Sequence, residues 1–133
     1  MTTPPKIQRV YSHAPWEKSI GYCRAIKAGN MIFVTGTAPL NADGSTCSPG
    51  NPYAQATRCI NLLKYALLEL GADLSHVVRT RMFVTDISLW EEYGRAHAEA
   101  FGEHPPATSM VEVKGLIAPD MMIEIEADAY VGS

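Results

Sequence analysis

The run Ile123-Glu124-Ile125-Glu126-Ala127-Asp128 constrains this chain more than any other segment. Successive side chains of a strand point to opposite sides of a sheet. Ile123, Ile125 and Ala127 therefore share one face, and Glu124, Glu126 and Asp128 share the other. The apolar face asks for a packed layer behind it. The acidic face sets three carboxylates in a row, and like charges at that spacing repel. They require water, cations or a dedicated pocket. The run ends a longer stretch, His104 to Val131. It reads as a Pro105-Pro106 entry, a strand, a turn at Ala118-Pro119-Asp120 and this second strand.

The rest of the chain supplies the other layers. Residues 1–6 read as a loose tail, and residues 7–20 as a short strand and a loop, with Pro15 and Gly21 as breakers. Residues 22–28 alternate, Gly29-Asn30 is a turn signal, and Met31 to Ala38 is rich in β-branched and aromatic residues, so the two runs predict a β-hairpin. Pro39 to Pro52 is a loop punctuated by Asp43-Gly44 and Pro49-Gly50. Tyr53, Ala56, Ile60, Leu63, Leu67 and Leu70 recur at helical spacing, opened by Asn51 or Pro52 and stopped by Gly71. His76 to Asp86 reads as a strand. Ser88 is a candidate N-cap for a second helix, Leu89 to Phe101, ended by Gly102. The order β-β-β-α-β-α-β-β implies an α+β sandwich, one mixed sheet with two helices on one face. The other face mixes charged residues with bulky ones, Phe83 beside Arg79 and Arg81, and a symmetric oligomer would close it off.

Composition narrows the function. With 133 residues, 47% of them hydrophobic and 19% charged, the chain is expected to form a single domain, 1–133, with a real core. A net charge of −3 and the lack of a basic cluster argue against nucleic acid as partner. No apolar run reaches the length of a membrane span and no signal-peptide core opens the chain, so a cytoplasmic protein is expected. Cys23, Cys47 and Cys59 share no CxxC spacing, and with four scattered histidines no metal site stands out. Cys23 and Cys59 read as small buried hydrophobes, since neither has a histidine beside it in sequence. His13, His76 and His104 have no evident partner, and Gly36 lacks the companions of a phosphate-binding loop.

Together, SIGYCRAI, FVTGTAP, AQATRCINLLKYALLELGA, VVRTRMFVTDIS, FGEHPPATSMVEV and MIEIEADA resemble the RidA family, also called YjgF-like proteins, the reactive-intermediate or imine deaminases. The resemblance covers about Gly21 to Val131. It implies a bacillus chorismate mutase-like fold and a homotrimer whose sheets form a central barrel. Three clefts between subunits would then take a small-molecule ligand, with no cofactor. Active members hydrolyse imines and enamines such as 2-aminoacrylate to a 2-keto acid and ammonia. Their arginine, in a Pro-Ala-Arg motif, grips the substrate carboxylate, while a tyrosine and a glutamate place substrate and water. Carried over, the tyrosine falls on Tyr22 and the glutamate on Glu124. The arginine falls on Thr108 of Pro106-Ala107-Thr108, and a frequent helix asparagine on Gly94. This chain looks like an arginine-lacking subgroup.

The chemistry needs a positioned water, a proton acceptor and a grip on the substrate. Glu124 is the candidate acid or base, because neighbouring carboxylates and burial raise a carboxyl's proton affinity. The alternative for the acidic face is pairing with Arg79 and Arg81. Tyr22 is a candidate donor to the substrate or leaving amine, or else a core tyrosine. Thr108 cannot replace a guanidinium's charge. Either another cation reaches the cleft or the ligand is not a 2-imino acid. Arg24, two residues from Tyr22, is the first substitute, Arg81 the second, Arg95 and His97 weaker ones. Ser109 is placed beside Thr108 among the substrate-binding residues. The expected function is hydrolytic deamination of a small imine or enamine, or a related hydrolysis of a carbonyl-derived metabolite. The rival is a non-catalytic trimer that binds a small metabolite. A translation-inhibitor or ribonuclease reading, attached to some family members, sits poorly with the acidic balance.

Overall fold

The computed structural model describes residues 6–132. Six strands, β1 (Ile7–Val10), β2 (Ala25–Ala28), β3 (Met31–Thr37), β4 (Val77–Val84), β5 (Ala107–Glu112) and β6 (Ile123–Tyr130), make one sheet in the order β1-β2-β3-β6-β4-β5. All neighbours run antiparallel except the parallel pair β4 and β5. Helices α2 (Pro52–Glu69) and α3 (Trp90–Phe101) pack together, and α2 lies against β3 and β6. The expected mixed sheet with two helices on one face is found. Among the described residues no helix is long and apolar enough to cross a membrane.

The acidic strand lies at the centre. β6 pairs with β3 on one side and β4 on the other, so it joins the N-terminal hairpin to the rest of the sheet. Ile123, Ile125, Ala127 and Ala129 are fully buried and meet Ile60, Leu63 and Leu67 of α2 in one apolar core. Each isoleucine side chain buried this way contributes about 2 kcal/mol of transfer free energy. A one-residue slip would bring three carboxylates against α2, so the register is strongly fixed.

Three details differ from the sequence reading. Pro15 and Gly21 do not break a loop; they bound a short helix, α1 (Pro15–Ile20). Proline costs nothing in a first helical turn, where its missing N–H has no partner anyway. Gly21, at φ 90°, closes that helix in the left-handed region. Ser88 does not cap the second long helix. A 3-10 turn at 87–89 comes first, and Asp86 caps it by accepting from the Ser88 N–H at 3.0 Å. Finally, residues 1–5 of the expected tail lie outside the described residues. Lys6 is held, its carbonyl accepting from the Gly29 N–H at 2.8 Å.

One polar side chain inside the core connects helix to site. Gln55 of α2 is fully buried. Its amide Nε2 donates to the Asp120 carbonyl at 2.9 Å and to that of Ser48 at 3.4 Å, and its Oε1 accepts from the Met122 N–H at 2.8 Å. It thus satisfies backbone groups of two loops and fixes where β6 begins. Gln55→Leu is expected to lose about 2–3 kcal/mol of unfolding free energy, because buried backbone groups would be left unpartnered. Chemical denaturation checks this. A loss within about 0.5 kcal/mol would show that Gln55 is not a structural tie.

Candidate functional site

The site begins with an irregularity in the sheet. Val34 faces Ala127 and Thr37 faces Ile125, so Thr35 and Gly36 of β3 together oppose the single residue Glu126. Such a bulge bends the strand and re-aims its side chains. Gly36 lies against Glu124: a Cβ there would sit 3.1 Å from the Glu124 Cδ and Oε2. The glycine is needed for this close approach, not for an unusual φ.

Beside the bulge lies an open cleft of about 430 Å³ on the helix-free face. Tyr22, Phe83, Leu116, Glu124 and Glu126 line it, with the Thr35-Gly36 backbone. Phe83 stands directly across from Glu124 on β4. Burial raises the Glu124 pKa above its ordinary 4.5; the Arg24 charge opposes this, and the Glu126 charge adds to it. The other two carboxylates share one cation. Arg81 Nη1 lies 3.1 Å from Glu126 Oε1 and 3.3 Å from Asp128 Oδ2. Arg79 faces Asp128 in register but makes no ion pair among the described residues. Glu124 is therefore the carboxylate of the row left without a hydrogen-bonded cation and given an apolar neighbour instead.

The expected site residues part company within one chain. Tyr22 and Glu124 share the cleft. Arg24 lies close by, its Cζ 5.9 Å from the centre of the Tyr22 ring, but Nη2 donates to the Gly36 carbonyl at 2.8 Å. It lines a separate groove of about 570 Å³ beside α2, and its Nε is buried without a partner. Arg81 is held by Glu126 and Asp128. Thr108 pairs in register with the fully buried Thr80, which lies on the helix side of the sheet. Thr80 Oγ1 donates to Thr108 Oγ1 at 2.7 Å and lies 2.8 Å from His97 Nε2, which in this arrangement donates to Thr80. Burial lowers the His97 pKa, consistent with a neutral ring. Thr108 thus faces away from Glu124 in the same chain. Ser109, opposite Arg81, is on the acidic face but outside the cleft.

The weaker candidates have structural roles. Arg95 stacks on Tyr53 at 3.6 Å and pairs with Glu92 at 2.7 Å, on the exposed side of α3. Gly94 lies on the same helix, with nothing within 4 Å of an added Cβ. Cys59 is buried, and burial pushes its thiol pKa up, so it behaves as a core hydrophobe. Among the described residues no group of acidic, histidine and cysteine side chains is placed to hold a metal. Phe83, Leu116 and Glu126 were not among the expected site residues. Phe83 alternates with Arg81 and Arg79, and Gly36 interrupts a β-branched run, which were the available signals; Leu116 gave none.

Comparison with known proteins adds independent support. The family profile described as endoribonuclease L-PSP matches residues 12–131. A crystal structure of a YjgF/YER057c/UK114 family member from Mycobacterium tuberculosis is 44% identical with a TM-score of 0.86, covering 94% of this chain and 99% of that one. An uncharacterized protein of Streptomyces coelicolor is 33% identical over 131 residues, 98% of this chain and 97% of its own. The 3-aminoacrylate deaminase RutC of Acinetobacter baylyi is 33% identical over 110 residues, 83% of this chain and 86% of its own. Profile, relatives and sheet topology agree: this chain belongs to the endoribonuclease L-PSP family, that of the YjgF-like and RidA proteins, and has their chorismate mutase-like fold.

Proposed function

We propose that the protein hydrolyses a small imine or enamine to a carbonyl compound and ammonia, in the cleft of Tyr22 and Glu124. The observation that carries this reading is Glu124, a half-buried carboxyl with raised proton affinity beside Phe83. A base is effective when its pKa approaches the working pH. The ionised carboxylate takes a proton from water as the water oxygen attacks the electrophilic carbon. The Tyr22 hydroxyl, on the same cleft, donates to the substrate or to the departing amine. The deaminase named among the relatives supports this class.

The cleft is open within one chain, and a homotrimer would close it between subunits. Phe33 on the helix-free face is 43% exposed and Val111 on β5 is 45% exposed, apolar surface that an interface would cover. A neighbouring subunit is also the one way Thr108 could approach a Glu124 cleft, since the two face opposite sides of their own sheet. The cysteines are all free, which fits a reducing cytoplasmic setting. The net charge of −3 sits poorly with the RNA chemistry in the family's name. One observation favours a second reading, a trimer that binds a metabolite without turning it over: Thr108 stands where the carboxylate-gripping arginine would be.

Glu124→Gln is expected to lower kcat for a working imine by about 100-fold or more, at little change in folded stability. Stopped-flow imine decay and a thermal melt check both. Unchanged turnover would remove Glu124 from the mechanism. Light scattering is expected to give three chain masses in solution. A monomer would contradict the closed cleft.

A further inference from the structure

The walls of the cleft carry information about charge that the deaminase reading does not use. Glu124 and Glu126 contribute carboxylates, and Tyr22 and Phe83 contribute rings. Among the described residues that line it, none is a lysine or an arginine. The two guanidinium groups nearby are committed elsewhere. Arg24 lines the groove beside α2 and is tied to the Gly36 carbonyl, behind the bulge. Arg81 is divided between Glu126 and Asp128. Arg79, the third, faces Asp128 in register, so the guanidinium groups of β4 lie along Glu126 and Asp128 and neither stands opposite Glu124, which faces Phe83.

This lining decides between two kinds of substrate. A substrate carboxylate would meet Glu124 and Glu126 with no guanidinium on the wall that this chain contributes, and like charges in a half-buried site disfavour each other. A cation would meet opposite charge and the faces of aromatic rings. Thr108 offers a hydroxyl where the family's grip on a carboxylate would be. Resting on the deaminase reading above, we propose that the cleft selects small cationic iminium compounds without a carboxylate and with an apolar arm. These are the imines of primary amines rather than of amino acids. Glu124 then serves twice, first as counter-ion to the iminium and then as base. The water oxygen bonds to the iminium carbon while the C=N π pair moves to nitrogen, and the water proton passes to Glu124. Glu124 returns it to the amine. The C–N bond then breaks, the hydroxyl proton leaves with the nitrogen, and an aldehyde and ammonium depart.

A matched pair tests this. A flavin amine oxidase generates the imine of 2-phenylethylamine, and an amino-acid oxidase that of phenylalanine; the two differ by one carboxylate. The purified protein is expected to accelerate loss of the first with kcat/KM at least about tenfold above the second. Glu126→Gln, which removes one wall charge and loosens Arg81, should narrow that ratio. Equal or faster loss of the 2-imino acid would overturn the selectivity while leaving the deaminase reading intact. If neither imine decays faster, the deaminase reading falls, and calorimetric binding decides the selectivity alone. The 2-phenylethylammonium ion binding well ahead of phenylalanine would sustain it, and equal or reversed binding would overturn it.

Discussion

Everything in this molecule is arranged around the period-two alternation of β6 at the centre of its sheet. One face of that strand is the core: Ile123, Ile125, Ala127 and Ala129, buried against α2. The other face carries Glu124, Glu126 and Asp128. The core fixes the register, and the register then forces three carboxylates together on the opposite side. Their repulsion is met unevenly. Arg81 reaches across from β4 and holds Glu126 and Asp128. Glu124, one step along, receives Phe83 instead, and burial rather than pairing sets its proton affinity.

The β3 bulge turns this electrostatic problem into a site. Two residues opposite one place a glycine over Glu124, and any side chain there would press on the carboxyl at 3.1 Å. The strand keeps its core contacts through Val34 and Thr37 on either side, both buried. The site is therefore held by a rigid sheet centre rather than by a loop, and Gln55 secures the start of the strand that bears it. A carboxyl whose folded pKa is raised disfavours folding once pH rises through that pKa. Glu124 is thus a local cost to stability at neutral pH.

Most of the sheet was legible from periodicity and turn residues, because alternation and β-branched runs report burial directly. Glu124 and Tyr22, singled out by the acidic alternation and the family motifs, line one cleft. What stayed hidden depended on tertiary placement. Pro15 and Gly21 read as breakers, although the same residues begin and end a short helix. Ser88 read as a cap of the second long helix, while a 3-10 turn capped by Asp86 comes first. Within one chain Thr108 and Glu124 lie on opposite faces, because the face of an edge strand is set by its partner's register, and β4 aligns Thr108 with the buried Thr80. Arg24 lies near Tyr22 as expected, yet a single hydrogen bond to Gly36 turns it into the groove beside α2. Leu116 comes from a loop with no periodic pattern.

Burial, not pairing, sets the proton affinity of Glu124. The direct measurement is its titration, by carbon-13 NMR of the glutamate side-chain carboxyls, assigned by comparison with Glu124→Gln. A Glu124 midpoint above the ordinary 4.5 is expected, so that the carboxyl gains its proton at a higher pH than an exposed glutamate. Binding of the 2-phenylethylammonium ion is expected to lower that midpoint, because a cation favours the ionised form. A midpoint at or below 4.5 would mean that Arg24 outweighs burial and Glu124 is simply another paired carboxylate.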